Sequence, residues 1–210
     1  MLDGGIMRRA VTVIIGVVLI SVSAHAGTKY KTTWRASEVG PQSFAGKKVA
    51  AVVISDDESL RMSSEEALVR ELAARGVEGV PAYRIVPKEA LRKAETARPF
   101  FERAGLEGVI VLRPVSVDHE QTYTPDTWAM PYYGSLWGYY GYGWGSVTSG
   151  GYITNTTVLT VETLIFSIAK DRLIWAGVSE TEDPKNAQRV VADLVKSAAK
   201  ELKKQGLTTK

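Results

Sequence analysis

Three adjacent carboxylates, Asp56, Asp57 and Glu58, follow the apolar run "GKKVAAVVIS". Clustered carboxylate oxygens are the ligands that magnesium and calcium prefer. At the carboxyl end of a parallel strand they would stand where open α/β sheets bind ligands. A metal-dependent hydrolase built on these residues is one reading. The sequence supplies no further ligand at a fixed distance, however, and a solvated acidic loop leading into a helix accounts for the same three side chains. His119, the one histidine beyond residue 26, sits in "VDHEQTY" between Asp118 and Glu120. An imidazole beside carboxylates can serve acid–base or metal chemistry. In a strand, though, both neighbours point to the face opposite His119, so the trio does not converge. Ser55, Ser116 and Ser179 lack a nucleophile-elbow context. The glycines of "GYYGYGWG" are not followed by Lys-Ser or Lys-Thr and meet neither the P-loop nor the dinucleotide pattern. No catalytic residue and no cofactor are assigned.

The most unusual stretch is "WAMPYYGSLWGYYGYGWGSVTSGGY", residues 128–152, with nine aromatic residues and seven glycines in twenty-five positions. The rings belong to Trp128, Tyr132, Tyr133, Trp137, Tyr139, Tyr140, Tyr142, Trp144 and Tyr152. At ~150 Å² each they amount to about 1,350 Å² of coverable surface, against ~300–600 Å² for the largest exposed patch of a typical soluble monomer. Three partners can cover them: the domain itself, another protein or a second copy of the chain, and a glycan or membrane surface. Tyrosine and tryptophan mixed with glycine and serine suit adaptable recognition. An insertion of this length is uncommon in a compact domain unless it has a function or is unstructured.

The elements that must position these residues begin after a leader. Residues 1–26 read as a secretory signal peptide: Arg8 and Arg9 form the basic region, Ala10 to Ser23 the apolar region, and Ala24-His25-Ala26 a small-residue cleavage site. The apolar run is shorter than the ~20 residues a bilayer span needs. The expectation is export to the periplasm with cleavage after Ala26. Without Arg8, Arg9 and Asp3 the remaining chain holds 24 basic and 22 acidic side chains, a balance that does not call for nucleic acid. The chain has no cysteine, which excludes disulfides, a thiol nucleophile, thiolate metal sites and a lipidated cysteine.

The periodicities predict one α/β domain over 46–210, a mixed sheet with helices packed on it, preceded by an extended segment at 27–45. Its order is β-α-β-α-β, the aromatic Gly-rich insertion at 128–152, then β-β-α. A strand over 46–56 leads into a helix opened by a Ser63–Glu66 capping box and stopped at Gly76. A strand over Val80–Val86 follows, then a helix capped at Thr96 with Pro99 in its first turn. "GVEGV" at 76–80 and "GLEGV" at 105–109 repeat one helix-to-strand solution: a glycine tolerant of positive φ, an apolar residue, then a glycine permitting close backbone approach. Two such units imply neighbouring parallel strands. "TTVLTVETLIFSIA" and "RLIWAGVSET" flank Lys170-Asp171 as an antiparallel hairpin. An amphipathic helix with Val190, Val191, Leu194, Val195, Ala198 and Leu202 on one stripe ends at Gly206.

"VETLIFSIAKDRLIWAGVSETEDP" leading into "LVKSAAKELKKQGL", with "GKKVAAVVIS" and "GLEGVIVLRP", resembles the uncharacterised exported α/β proteins and lipoproteins of Gram-negative bacteria. The order of elements is similar to the periplasmic α/β domain of curli-secretion-type lipoproteins. The resemblance covers most of 46–207 and implies a periplasmic α/β domain without established catalytic residues. Many such relatives carry a lipidated cysteine, which this chain lacks. The function expected is therefore a non-enzymatic envelope interaction or assembly module, with residues 128–152 as its contact surface. On that expectation, deleting the segment abolishes binding and leaves the domain folded. A membrane-associated assembly component, held through Trp137 and Trp144, is the further alternative.

Overall fold

The structure, a computed structural model, describes residues 27–115, 131–145, 158–182 and 184–208. Ala24, Ala26, Ser116, His119, Trp128 and Tyr152, and the side chain of Tyr132, lie outside the described residues.

The chain builds a mixed six-stranded sheet with helices on both faces. β1 (Lys29–Arg35) leads to β2 (Lys48–Val53), α1 (Glu58–Ala73), β3 (Glu78–Pro81) and the short α2 (Ala82–Ile85). α3 (Ala94–Arg103) and β4 (Gly108–Val115) follow. The aromatic segment supplies α4 (Pro131–Gly134) and α5 (Leu136–Gly145), before β5 (Val158–Ser167), β6 (Arg172–Glu182) and α6 (Ala187–Lys204). The strands lie in the order β1-β6-β5-β4-β2-β3. β2 pairs in parallel with both β3 and β4, and the remaining pairs are antiparallel.

Alternation along β2 divides the core. Ala50, Val52 and Ile54 face the layer of α2, α3 and α5, while Val49, Ala51 and Val53 face α1 and α6. Each side chain of this strand therefore meets apolar neighbours, which is why the run is apolar throughout rather than alternating.

Both halves of the repeated glycine motif take the expected backbone. Gly76 and Gly105 have φ of 74° and 64°. A Cβ on Gly79 would come within 3.0 Å of the Val69 Cα, and one on Gly108 within 3.2 Å of the Phe166 carbonyl oxygen. The two strands they enter are not adjacent: β2 lies between β3 and β4, because each crossover returns to a different side of it.

Other local expectations are corrected. α1 begins five residues before Ser63, and its N-cap is Asp57, whose Oδ1 accepts from the Leu60 N–H at 2.9 Å. Ser63 donates instead to the Leu60 carbonyl within the helix, and Glu66 pairs with Tyr83 and Arg84. The strand expected over Val80–Val86 stops at Pro81, which lacks the amide a ladder needs, and Ala82–Ile85 turns into α2. Pro99 lies in the middle of α3, and the Thr96 hydroxyl donates to the Ala90 and Lys93 carbonyls instead of capping.

The 27–45 segment enters the sheet through β1, antiparallel to β6. Beyond it, Ala36 and Val39 are buried, and the Gln42 amide donates to the Leu207 carbonyl at 2.7 Å. This forms a strap across the end of α6. In the β5–β6 hairpin, Asp171 occupies the left-handed region at φ 39°.

Candidate functional site

The aromatic segment forms helical turns where the sequence favoured a loop. Glycine at 138, 141, 143 and 145 costs each helical position up to about 1 kcal/mol relative to alanine. Propensity alone therefore does not hold α5 together, and tertiary packing does. Tyr133, Tyr139, Tyr140 and Trp144 are all 5% exposed or less and belong to the core cluster on the α3 side of the sheet. Phe101 of α3 stands edge-on to Trp137 and Tyr140, with centroids 5.7 and 5.8 Å away. Tyr139 stacks at a tilt on Phe166 of β5 at 5.9 Å. Gly143 is required for this approach: a Cβ there would lie 2.4 Å from the Ile54 Cδ1.

A buried charge fastens the segment. Arg113 and Glu162 are cross-strand partners on β4 and β5, on the face that α5 covers. Glu162 is fully buried and accepts bonds of 2.8 Å from Arg113 Nε, Arg113 Nη2, Tyr133 Oη and Tyr139 Oη. The Arg113 guanidinium also lies over the Tyr142 ring, 5.3 Å from its centroid. Burial disfavours the charge on Arg113, but Tyr139 and Glu162 outweigh it and raise the guanidinium above its ordinary range. Burial, followed by the Glu162 charge, holds the Tyr139 phenol well above its ordinary value and keeps it a neutral donor. This is chemistry of attachment: every group named is locked to another part of the domain.

On its outer edge the segment is less enclosed. Trp137 and Tyr142 are partly buried, and Arg98 of α3 lies over the Trp137 ring at 5.5 Å. Arg92 lies over the Trp144 ring at 5.8 Å and also pairs with Asp56. Arg92 therefore links the aromatic helix to the carboxylates that follow β2.

Those carboxylates do not converge. Asp56 is held by Arg92, Asp57 caps α1, and Glu58 pairs with Lys88 at 2.6 Å. The Lys88 bond holds the Glu58 carboxyl below its ordinary range. Among the described residues no group of three His, Cys, Asp or Glu side chains is placed to hold a metal ion. A carboxylate missed in the sequence is Glu65, fully buried under β2. It accepts from the Val53 and Tyr83 amides at 3.2 and 2.9 Å, with Arg61 3.6 Å away. Burial pushes its pKa up to about 7, against the pull of those two amides and Arg61. Its position between Ser64 and Glu66 in a polar run hid it, because the buried face of α1 includes Arg61, Ser64 and Glu65 alongside Ala67, Leu68 and Leu72.

Among the described residues no helix is long and apolar enough to cross a membrane. Trp144, 5% exposed, is not presented to a bilayer.

No protein-family model matches the chain, and no curated protein does. Solved structures do match. One is a variant PelC dodecamer from Paraburkholderia phytofirmans, at 11% identity and a TM-score of 0.44, covering 85% of this chain and 99% of that one. Another is a PelC dodecamer from the same organism, at 14% identity and a TM-score of 0.41, with the same coverage. The likeness is one of backbone shape, and the function is read from the residues alone. The class defined by fold and site is a single-domain α/β protein whose aromatic segment is built into the core.

Proposed function

We propose that the protein is a non-enzymatic interaction or assembly module of the bacterial envelope, exported by cleavage after Ala26, and that it contacts its partner through the outer edge of α5 and the adjoining α3. One observation carries this reading: the aromatic segment is divided, with Tyr133, Tyr139, Tyr140 and Trp144 in the core and Trp137 left partly exposed beneath Arg98. Aromatic residues and arginine dominate the energetics of protein interfaces. A ring already fixed by Phe101 and Tyr140 loses little freedom on binding, which favours affinity.

The sheet edges are poor alternatives. β1 places Lys29, Lys31 and Arg35 outward on one edge, and β3 on the other has four residues and ends in Pro81. A second copy of the chain is the first partner to test. Sedimentation velocity of the purified protein over a range of concentrations should show self-association that weakens in Trp137→Ser and in Arg98→Ser, with circular dichroism showing that both variants are folded. A protein that stays monomeric at all concentrations, or variants that associate as wild type does, would remove this surface from the account. Export is tested separately by N-terminal sequencing of periplasmic protein, which should begin at Gly27.

A further inference from the structure

The face of the sheet opposite the aromatic helix borders a half-open cavity of about 390 Å³. Its floor is formed by Ile110, Leu112 and Ile165 of the central strands, and its walls by Leu72 of α1 and Leu194 and Ala198 of α6. Residues 42–45 of the N-terminal strap close one end. That end is defined by two backbone bonds: the Gln42 amide donates to Leu207 after α6, and the Gly46 amide donates to Gly76 after α1. Both helices therefore finish at the strap, and the cavity opens between it and their last turns.

The volume falls within the ~300–1,000 Å³ of small-molecule pockets. The interior offers almost nothing to a polar ligand. Thr163, the polar residue of the floor, already accepts from the Tyr30 hydroxyl at 2.8 Å. The mouth differs, because Arg75 and Lys203 both line it and both are exposed. Arg75 Nη1 is engaged by the Glu71 carboxylate at 2.8 Å and by the Glu71 carbonyl at 2.7 Å, so one acid faces two cations there. A hydrocarbon interior ending in a net positive rim is complementary to one long chain carrying a terminal anion.

We propose that this cavity binds a single-chain fatty acid, its hydrocarbon between α1, α6 and the sheet and its carboxylate at Arg75 and Lys203. The occupant does not involve the α5 surface, so the site stands or falls independently of the interaction module.

The test is isothermal titration of the purified protein with dodecanoate below its micelle concentration, beside decanol as a chain without charge. Wild type should bind one dodecanoate per chain saturably. Ala199→Phe, which projects a ring into the cavity from α6, should abolish binding of both probes, and circular dichroism verifies that this variant is folded. Lys203→Glu, on an exposed site, should weaken dodecanoate about tenfold and leave decanol nearly unchanged. Absence of saturable binding to wild type, or undiminished binding to a folded Ala199→Phe protein, overturns the proposal. Equal dodecanoate affinity in Lys203→Glu overturns the placement of the head group, and failure of a misfolded Ala199→Phe is resolved by the same titration on Ala198→Leu.

Discussion

Replacing Glu162 with alanine is the sharpest perturbation of the way the aromatic segment is held. The carboxylate is fully buried and takes two bonds from Arg113 and one each from Tyr133 and Tyr139, all at 2.8 Å. Its removal takes the paired carboxylate from a guanidinium that is 7% exposed and one acceptor from each of two phenols. Breaking a buried pair from one side costs about 3–5 kcal/mol, a large part of the ~5–15 kcal/mol that holds a domain together. Tyr139→Phe removes one hydroxyl bonded to a charged acceptor and should cost about 1.5–3 kcal/mol. Replacing both charges, as Arg113→Met with Glu162→Leu, should recover much of the loss, because no buried charge is then stranded. The assay is urea unfolding followed by tryptophan fluorescence and by far-ultraviolet circular dichroism. A Glu162→Ala protein less than about 1 kcal/mol below wild type, or a double variant no better than the single one, would refute the view that this charge clamps the segment to the sheet.

Three further outcomes follow. Gly143→Ala should destabilise the domain by about 1–3 kcal/mol, since its Cβ would lie 2.4 Å from Ile54 Cδ1, and Ile54→Val should recover part of that loss in urea melts of the double variant. Glu65 binds its proton up to about pH 7 in the folded chain and up to its ordinary 4.5 when unfolded, so the folded state holds more protons between those values. Its contribution is complete below about pH 4.5 and falls by up to about 3 kcal/mol as the pH rises through 7; melts from pH 4 to 8 should show this slope and Glu65→Gln should lack it. Asp57→Ala should cost about 1 kcal/mol through loss of the α1 cap, while Ser63→Ala should change the thermal midpoint little.

Much of the fold was legible because burial writes itself into period and composition. The unbroken apolar run of β2, the stripe of α6 and the glycine pair at each helix-to-strand junction all carry a local physical signature. The start of α1 was misplaced because two plausible caps compete, Asp57 and Ser63, and only the packing of Arg61, Ser64 and Glu65 against the sheet selects the earlier one. Pro81 ended a strand that apolar residues alone would have continued.

The aromatic segment stands out as unusual in the sequence, but the sequence leaves open whether the domain itself, another protein or a glycan or membrane surface covers its rings. Its glycines argue locally for a loop, and nothing local reports that Glu162 lies twenty-three residues beyond Tyr139 to receive its hydroxyl. The partner of Arg113 was likewise invisible, being forty-nine residues away and adjacent only through the register of β4 and β5. Sequence spacing shows which residues share an element; it does not show which elements share a face.

The most direct test of the central claim is a thermal melt of the purified protein beside a variant in which a Gly-Ser linker replaces residues 131–145. Tyr133, Tyr139, Tyr140 and Trp144 alone bury about 600 Å², or about 15 kcal/mol of gross hydrophobic transfer, which is as large as the whole stability of an ordinary domain. The account predicts that the variant loses its cooperative transition and its near-ultraviolet circular dichroism. A variant that melts cooperatively near the wild-type temperature would contradict it and return the segment to the surface.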